Sequence, residues 1–469
     1  MKVDMSLLNK SVIFDYILDK EDQVLLDSPV HMNHRSCLFE LPFKLDQGNI
    51  HPDLLGMAIL LMVYPFTKDK ISLPFAISKE FADVVLEALS IKMYPVDTKL
   101  KKRIITDGRP GLSYSAGVDS TAALAIMPKN TAIVFLDRIL QMYKSSLYNK
   151  SAALYTIDNI KERYEAYKIP TNVEFLREPI GFPVSNVDDR TDIPFSAAIP
   201  LILMADYLKI DSIAYGIVME SIYMVGHKEF DDFAKNKIFL KWKKIYEIIN
   251  CELFLPTAGL TEVATSKISN SFAVSKFVRS CMRGDLNGPC KKCIKCFRKL
   301  TLDQALLRDK VNYNDLISNL NSNEVVKNLY STIKHENVYR YIVQNLKQNR
   351  FTENLSKRIS LVDEDTRWME RWYSKSIVFV PKKYQEEFQK NIERYLKNMT
   401  SDDCKFVEQW GIEHESNNDV DKLLEWQEYL KKEITEPRTN NFLSTLITNQ
   451  ELPKKLQVLD YKQWFDSLD

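Results

Sequence analysis

Between residues 104 and about 300 the chain alternates short apolar runs with longer stretches whose apolar residues recur at helical spacing. That is the pattern of strand–helix–strand units on a parallel sheet. The apolar runs predict strands over residues 111–115, 131–137, 172–177, 211–218 and 252–256. Helices are expected over 120–127, 152–167, 195–208 and 230–249, with Pro200 kinking the third or marking a shorter start. The first hundred residues read differently. Strand-like runs at 11–18, 37–43 and 70–77 mix with helical patterns at 52–63 and 79–90, which suggests a small α+β lobe. From about 300 onward the pattern is helical and rich in Lys, Glu and Asn, for example at 384–396 and 420–432, with one candidate strand at 377–381. The chain thus divides into an amino-terminal α+β lobe (1–103), an α/β parallel-sheet domain (104–300) and a mainly α-helical carboxy-terminal region (301–469).

Composition adds limits. A chain of 469 residues has ample length for sizeable cores, and its 45% hydrophobic and 27% charged content is that of a globular protein. The net charge of +1 gives no global field for nucleic acid or an anionic membrane. One local basic patch remains, made by Lys291, Lys292, Lys295, Arg298 and Lys299. The longest apolar run, residues 54–66, contains Pro65 and is too short to span a bilayer. The first residues, with Asp4 and Lys10 around few apolar ones, lack the core of a signal peptide, so a cytoplasmic protein without membrane contact is expected.

The sequence Gly111-Leu-Ser-Tyr-Ser-Ala-Gly-Val-Asp119-Ser120 reads as a buried strand that stops in a tight turn and becomes a helix. Small residues let the backbone approach a ligand, and a helix start leaves several N–H groups without partners. With the positive end of the helix dipole they form an anion site, most often for phosphate. A helix merely capped by Ser115 or Asp119 is the plainer alternative.

Of seven cysteines, Cys37, Cys251 and Cys404 stand alone and suit reduced packing positions. Cys281, Cys290, Cys293 and Cys296 lie within sixteen residues, at Cys-x8-Cys-x2-Cys-x2-Cys spacing. That spacing suits a tetrahedral zinc site of structural type, with four ligands and no open position. An iron–sulfur cluster, a redox-active Cys-x2-Cys pair and a chance cluster are the other readings.

The two features occur in one parallel-sheet region, and together they resemble a known family. Ser115-Ala-Gly-Val-Asp119-Ser120 resembles the Ser-Gly-Gly-x-Asp-Ser loop of the PP-loop ATP pyrophosphatases, which cleave ATP to AMP and pyrophosphate. Within that superfamily the cysteine spacing resembles 7-cyano-7-deazaguanine synthase, the QueC enzymes of queuosine biosynthesis. Asp189-Arg190-Thr191 is similar to their Ala-Arg-Asn segment, Gly216-Ile-Val-Met-Glu220 to their Gly-x-x-x-Glu, and Pro256-Thr-Ala-Gly-Leu-Thr261-Glu262 to their Pro-Leu-x-x-Leu-Thr-Lys. The likeness covers roughly residues 105–300. It departs at Ala116, where the family has glycine, and at Glu262, near where it has lysine. A methyl group at 116 fits a negative φ and hinders a positive one. The long flanks are similar to those of QueC-like proteins encoded in bacterial antiphage-defence operons.

The resemblance implies ATP, Mg²⁺ and Zn²⁺ as cofactors and a set of site residues. Ser113, Ser115, Ala116, Gly117, Val118, Asp119 and Ser120 would cradle the phosphates, and Asp137 would face the adenosine. Asp119, Ser120 and Arg190 would serve catalysis, with Asp119 on Mg²⁺ or locking the loop. Arg190, Gly216, Glu220 and Arg279 would contact a deazaguanine-type carboxylate, and the four cysteines would hold zinc. The implied reaction is adenylation of the carboxylate, then attack by an amine: ammonia on the way to a nitrile, or a partner protein from the same operon to give an amide. Lys2 rather than a nucleophilic cysteine follows Met1, so a glutaminase is not expected. A tRNA-thiolating PP-loop enzyme and a non-catalytic nucleotide-binding scaffold are the alternatives. The carboxy-terminal helices could dock a protein, form a homodimer or act as a lid.

Overall fold

The computed structural model describes residues 1–23, 30–32, 35–44, 48–138, 149–173, 175–177, 196–226, 229–278, 280–281, 283–307, 322–330, 333, 335–346, 349–411 and 419–433. Among them, ten strands form one mixed, mostly parallel sheet, and many helices pack on it. The parallel block is built from β7 (Arg109–Ser113), β8 (Ala132–Arg138), β9 (Ala166–Thr171), β11 (Ile210–Tyr215) and β12 (Glu252–Phe254). Their spatial order is β12-β11-β7-β8-β9. The first strand of the block is therefore central, and the chain runs outward to one side and then to the other.

The first hundred residues extend the same sheet. β4 (Ser36–Glu40) pairs antiparallel with β9 at Thr171, and β2 (Ser11–Ile17) and β1 (Lys2–Leu8) follow antiparallel. Then β5 (Lys70–Ser78) and β6 (Lys92–Asp97) add in parallel. β3 (Val30–Met32) and β10 (Phe175–Arg177) form a separate two-stranded ribbon.

Both faces of the parallel block are covered, which explains why its strands read as continuous apolar runs. Along β8, Ile133 and Phe135 enter one core while Val134 enters the other. The first core is closed by α3 (Val118–Ile126), α4 (Ser151–Ile160), α8 (Glu262–Ser271) and α13 (Gln385–Ile392). On the opposite face lie α1 (Pro52–Val63), α2 (Lys79–Leu89), α5 (Ile199–Leu203) and α7 (Lys237–Ile248). Between α5 and α7, the short α6 (Met219–Ile222) follows β11. The same large core reaches α9 (Ile294–Leu307), α10 (Asn323–Tyr330), α11 (Glu336–Asn345) and α12 (Arg350–Arg358). Last come α14 (Ser401–Glu408) and α15 (Val420–Glu433). No helix among the described residues is long and apolar enough to cross a membrane.

Several expected elements differ. The helix expected over 152–167 ends at Ile160, and Ala166–Thr171 is β9 instead. Its apolar spacing continued the helical pattern, but pairing with β8 on one side and β4 on the other decides the conformation. Pro200 marks a shorter start: it sits in the first turn of α5, where its missing N–H costs nothing. Residues expected as a strand at 377–381 fall largely in a 3₁₀ segment, Ser374–Phe379. Phe379 there packs edge-on against Tyr223 and Phe239 rather than joining the sheet.

Candidate functional site

Strand order reverses between β7 and β11, so the connections leaving these two neighbours run to opposite sides. Such a switch point leaves a crevice at the carboxyl ends of the strands, where open α/β sheets bind ligands. Residues 114–117 leave β7 there and lead into α3. The Ser113 hydroxyl is spent on the Ala197 carbonyl at 2.9 Å. Ser115 Oγ and Ser120 Oγ lie 3.1 Å apart, and Ser120 Oγ also donates to the Gly117 carbonyl. Tyr114 and Thr121 hydroxyls meet at 2.8 Å, which pins the strand end to the helix start.

The N-cap of α3 is Gly117, in extended conformation, and no side chain caps the helix. Neither Ser115 nor Asp119 takes that role, so the plain capped-helix alternative does not describe this turn. Asp119 is the second helical residue. Ala116 adopts φ 61°, in the left-handed region, with its methyl group fully buried. This is the unfavourable case for a residue with a Cβ. Gly216, just past β11, closes the other side of the fork. A Cβ on it would stand 2.7 Å from both the N and Cα of Ser120, so only glycine permits this approach.

Asp119 is the hinge between this loop and a second layer. Its Oδ1 accepts a 2.8 Å hydrogen bond from the Thr265 hydroxyl on α8 and lies 3.8 Å from Lys299 Nζ on α9. Lys299 Nζ is also 3.0 Å from Glu262 Oε1, and Arg298 Nε donates to that oxygen at 3.1 Å. Glu262, Arg298 and Lys299 are all buried. Burial by itself would push the Glu262 carboxyl up, but the flanking Arg298 and Lys299 cations outweigh it and hold the group well below the usual carboxylate range. Burial likewise opposes the Lys299 ammonium, and Asp119 with Glu262 more than restores it. Glu262, Arg298 and Lys299 thus each favour the charged form of the others. Sequence reading placed Glu262, Arg298 and Lys299 near motifs but did not join them to Asp119.

Glu220 lies beneath the surface as a brace. Both its oxygens accept the Glu262 N–H, at 2.9 and 3.1 Å, and Asn337 Nδ2 on α11 donates to Oε1 at 3.2 Å. Desolvation pushes its carboxyl up to about 7, with the Glu262 charge adding to the rise, against the lowering effect of these hydrogen bonds. Asp137, at the end of β8, is held by Lys150 at 2.6 Å. Arg190 and Arg279 lie outside the described residues.

The four cysteines form one cluster. Their sulfur atoms lie within 4.8 Å of one another, and Cys290 Sγ is 3.7 Å from Cys296 Sγ. Tetrahedral zinc with Zn–S bonds of about 2.3 Å sets its sulfurs about 3.8 Å apart, so the donor set fits. Backbone N–H groups of Arg283 and Cys290 point at Cys281 Sγ, that of Lys292 at Cys290 Sγ, and that of Cys296 at Cys293 Sγ. Such N–H···S contacts stabilise thiolates. Without a cation the thiols compete: hydrogen bonds from its neighbours lower the Cys281 thiol, and the same contacts raise Cys293 and Cys296. A divalent cation removes that conflict by accepting all four as thiolates. Four close cysteines could thus hold a metal such as zinc. The cluster sits at the start of α9, and Arg283 pairs with Glu324 of α10, whose Oε1 also accepts the Ile294 N–H. Metal closure would therefore fix the helix that carries Arg298 and Lys299.

Residues 241–411 match a protein family described as a family of unknown function (DUF6395). The match takes in Glu262, the cysteine cluster, Arg298 and Lys299, and leaves out the loop at 115–120. No curated protein and no solved structure matches the chain.

Proposed function

We propose that the chain is a PP-loop ATP pyrophosphatase similar to 7-cyano-7-deazaguanine synthase, which adenylates a carboxylate and joins it to an amine. The observation that carries this reading is the uncapped start of α3 at the switch point of the sheet, with Gly117 as its N-cap and Gly216 against Ser120. Free N–H groups at a helix start of nine residues suit a diphosphate. The cysteine cluster, in the order and spacing of the resembled family, adds independent support.

The residues take the following parts in this reading. Backbone N–H groups of residues 117–120 and the Ser115 and Ser120 hydroxyls receive the β- and γ-phosphates. Asp119, its side chain 32% exposed at the loop, holds Mg²⁺. Asp137 marks the adenosine end. The substrate carboxylate attacks the α-phosphorus, the bond to the β,γ-diphosphate breaks, and an acyl-adenylate forms. An amine then displaces AMP. Cys281, Cys290, Cys293 and Cys296 hold zinc as a closed structural site. Participation of Cys293 and Cys296 in one four-thiol cluster favours this over sulfur transfer by a free cysteine pair.

Hydroxylamine tests the reading. With ATP, Mg²⁺ and 7-carboxy-7-deazaguanine, the chain should yield the corresponding hydroxamate and AMP. Formation of AMP only with other carboxylates would keep the adenylation and reject the deazaguanine. Intact-mass measurement of neighbouring gene products co-expressed with this chain then distinguishes ammonia from a protein amine as acceptor.

A further inference from the structure

Lys299 is an unusual lysine. Long cationic side chains normally run their ammonium out to water, and burying one is costly unless it is fully paired. Here the side chain is only 7% exposed and points inward, toward the first turn of α3. Its ammonium meets two carboxylates, Glu262 Oε1 at 3.0 Å and Asp119 Oδ1 at 3.8 Å, and only the first is within hydrogen-bond distance. With one N–H facing Glu262, the other two donors of the buried ammonium have no hydrogen-bond partner.

Charge accounting separates Lys299 from its neighbour. Arg298 and Glu262 already form a hydrogen-bonded pair, one charge against one. Lys299 and Asp119 make a second pair whose 3.8 Å separation is too long for a hydrogen bond. Asp119 is also held by Thr265, which leaves it less need of the lysine. Beside them lies a helix N-terminus with no capping side chain. A buried cation with two donors to spare, beside an uncapped helix start, matches an anion with several oxygens.

We propose that Lys299 is the cation that binds the leaving diphosphate of ATP, delivered to the loop from the helix that the cysteine cluster anchors. This rests on reading residues 115–120 as the phosphate cradle. Lys299 exchanges its loose contact with Asp119 for phosphate oxygens when ATP enters, and Glu262 keeps it in place between turnovers. The cysteine cluster therefore affects nucleotide binding through the position of α9.

The test compares binding of α,β-methylene-ATP, which cannot be cleaved at that bond, with binding of AMP by the full chain. Lys299→Met should weaken α,β-methylene-ATP by about 10- to 100-fold, as expected for a charged hydrogen bond, and leave AMP unchanged. Lys299→Arg should keep most of the affinity. The charge-balanced double variant Glu262→Gln/Lys299→Met should be as weak as Lys299→Met alone, with melting temperatures recorded for each variant. Recovery of wild-type affinity in the double variant would mean that Lys299 only neutralises Glu262, and would overturn the inference. Unchanged affinity in Lys299→Met, or equal losses for both nucleotides, would overturn it too while leaving the ATP reading intact. No binding of α,β-methylene-ATP by the wild-type chain would overturn both.

Discussion

Gly216 lies so close to Ser120 that a Cβ at 216 would sit 2.7 Å from the Ser120 N and Cα. The atoms it would meet are backbone, at the start of α3, and cannot rotate away. Gly216→Ala should therefore push the first turn of α3 off β11, at a cost of about 2 kcal/mol from overpacking. Urea denaturation should show the loss, and nucleotide affinity should fall further than stability alone explains. A variant with wild-type stability and nucleotide binding would mean that the close approach does not matter.

Ala116 calls for a comparison of magnitudes. Its φ of 61° costs an L-residue about 1–2 kcal/mol. Glycine would relieve that strain, but it would lose a fully buried methyl worth about 0.8 kcal/mol and gain unfolded-state freedom worth about 0.4–1 kcal/mol. These terms nearly cancel, so Ala116→Gly should change stability by less than about 1 kcal/mol and retain nucleotide binding. Ala116→Val, with a branched Cβ in the same conformation, should destabilise by more than about 2 kcal/mol. Denaturant midpoints of the two variants check both statements. On these magnitudes alanine at 116 costs the fold little.

Glu220 predicts a pH dependence. Its folded-state carboxyl, raised by burial to about 7, binds its proton more tightly than the unfolded chain does. The stability it contributes is complete below the unfolded value of about 4.3 and is lost as pH rises to about 7. Glu220→Gln should remove this loss. The variant should gain on wild type between pH 5 and pH 7, by on the order of 2 kcal/mol, and the difference should level off above. Denaturation at several pH values reads it directly. A constant difference would mean that Glu220 titrates normally.

The cysteine cluster predicts metal content and its own pH response. Purified protein should carry about one zinc per chain, and a strong chelator should lower its melting temperature. Metal binding displaces thiol protons, so zinc should be held less tightly as pH falls. Cys293→Ser should reduce both zinc content and folded yield, as expected of a structural ligand. Iron in place of zinc, with visible absorbance, would indicate an iron–sulfur cluster instead.

What could be read from the sequence followed from how local each signal is. The β7–α3 turn and the four-cysteine cluster each lie within one short stretch of chain, sixteen residues for the cysteines, so spacing alone exposed them. β9 was hidden because residues 166 and 167 continue the apolar spacing of the preceding helix while the next apolar run starts at 172, and only partners on β8 and β4 make 166–171 a strand. The ionic cluster around Asp119 was hidden for a related reason. Thr265 is 146 residues from Asp119 and Arg298 is 36 from Glu262, and nothing in either neighbourhood names its partner. Glu220 resembled a residue of a substrate pocket by motif, yet its carboxylate is enclosed by the start of α8 and Asn337.

In the proposed function the loop at residues 115–120 directs ATP cleavage between the α- and β-phosphates. Nucleotide products from purified wild-type protein, with Mg²⁺ and a carboxylate substrate, test it most directly. AMP and pyrophosphate should form in equal amounts, and both should be abolished in Asp119→Ala while that variant stays folded and zinc-loaded. Release of ADP and phosphate, or AMP formation that survives Asp119→Ala, would contradict it.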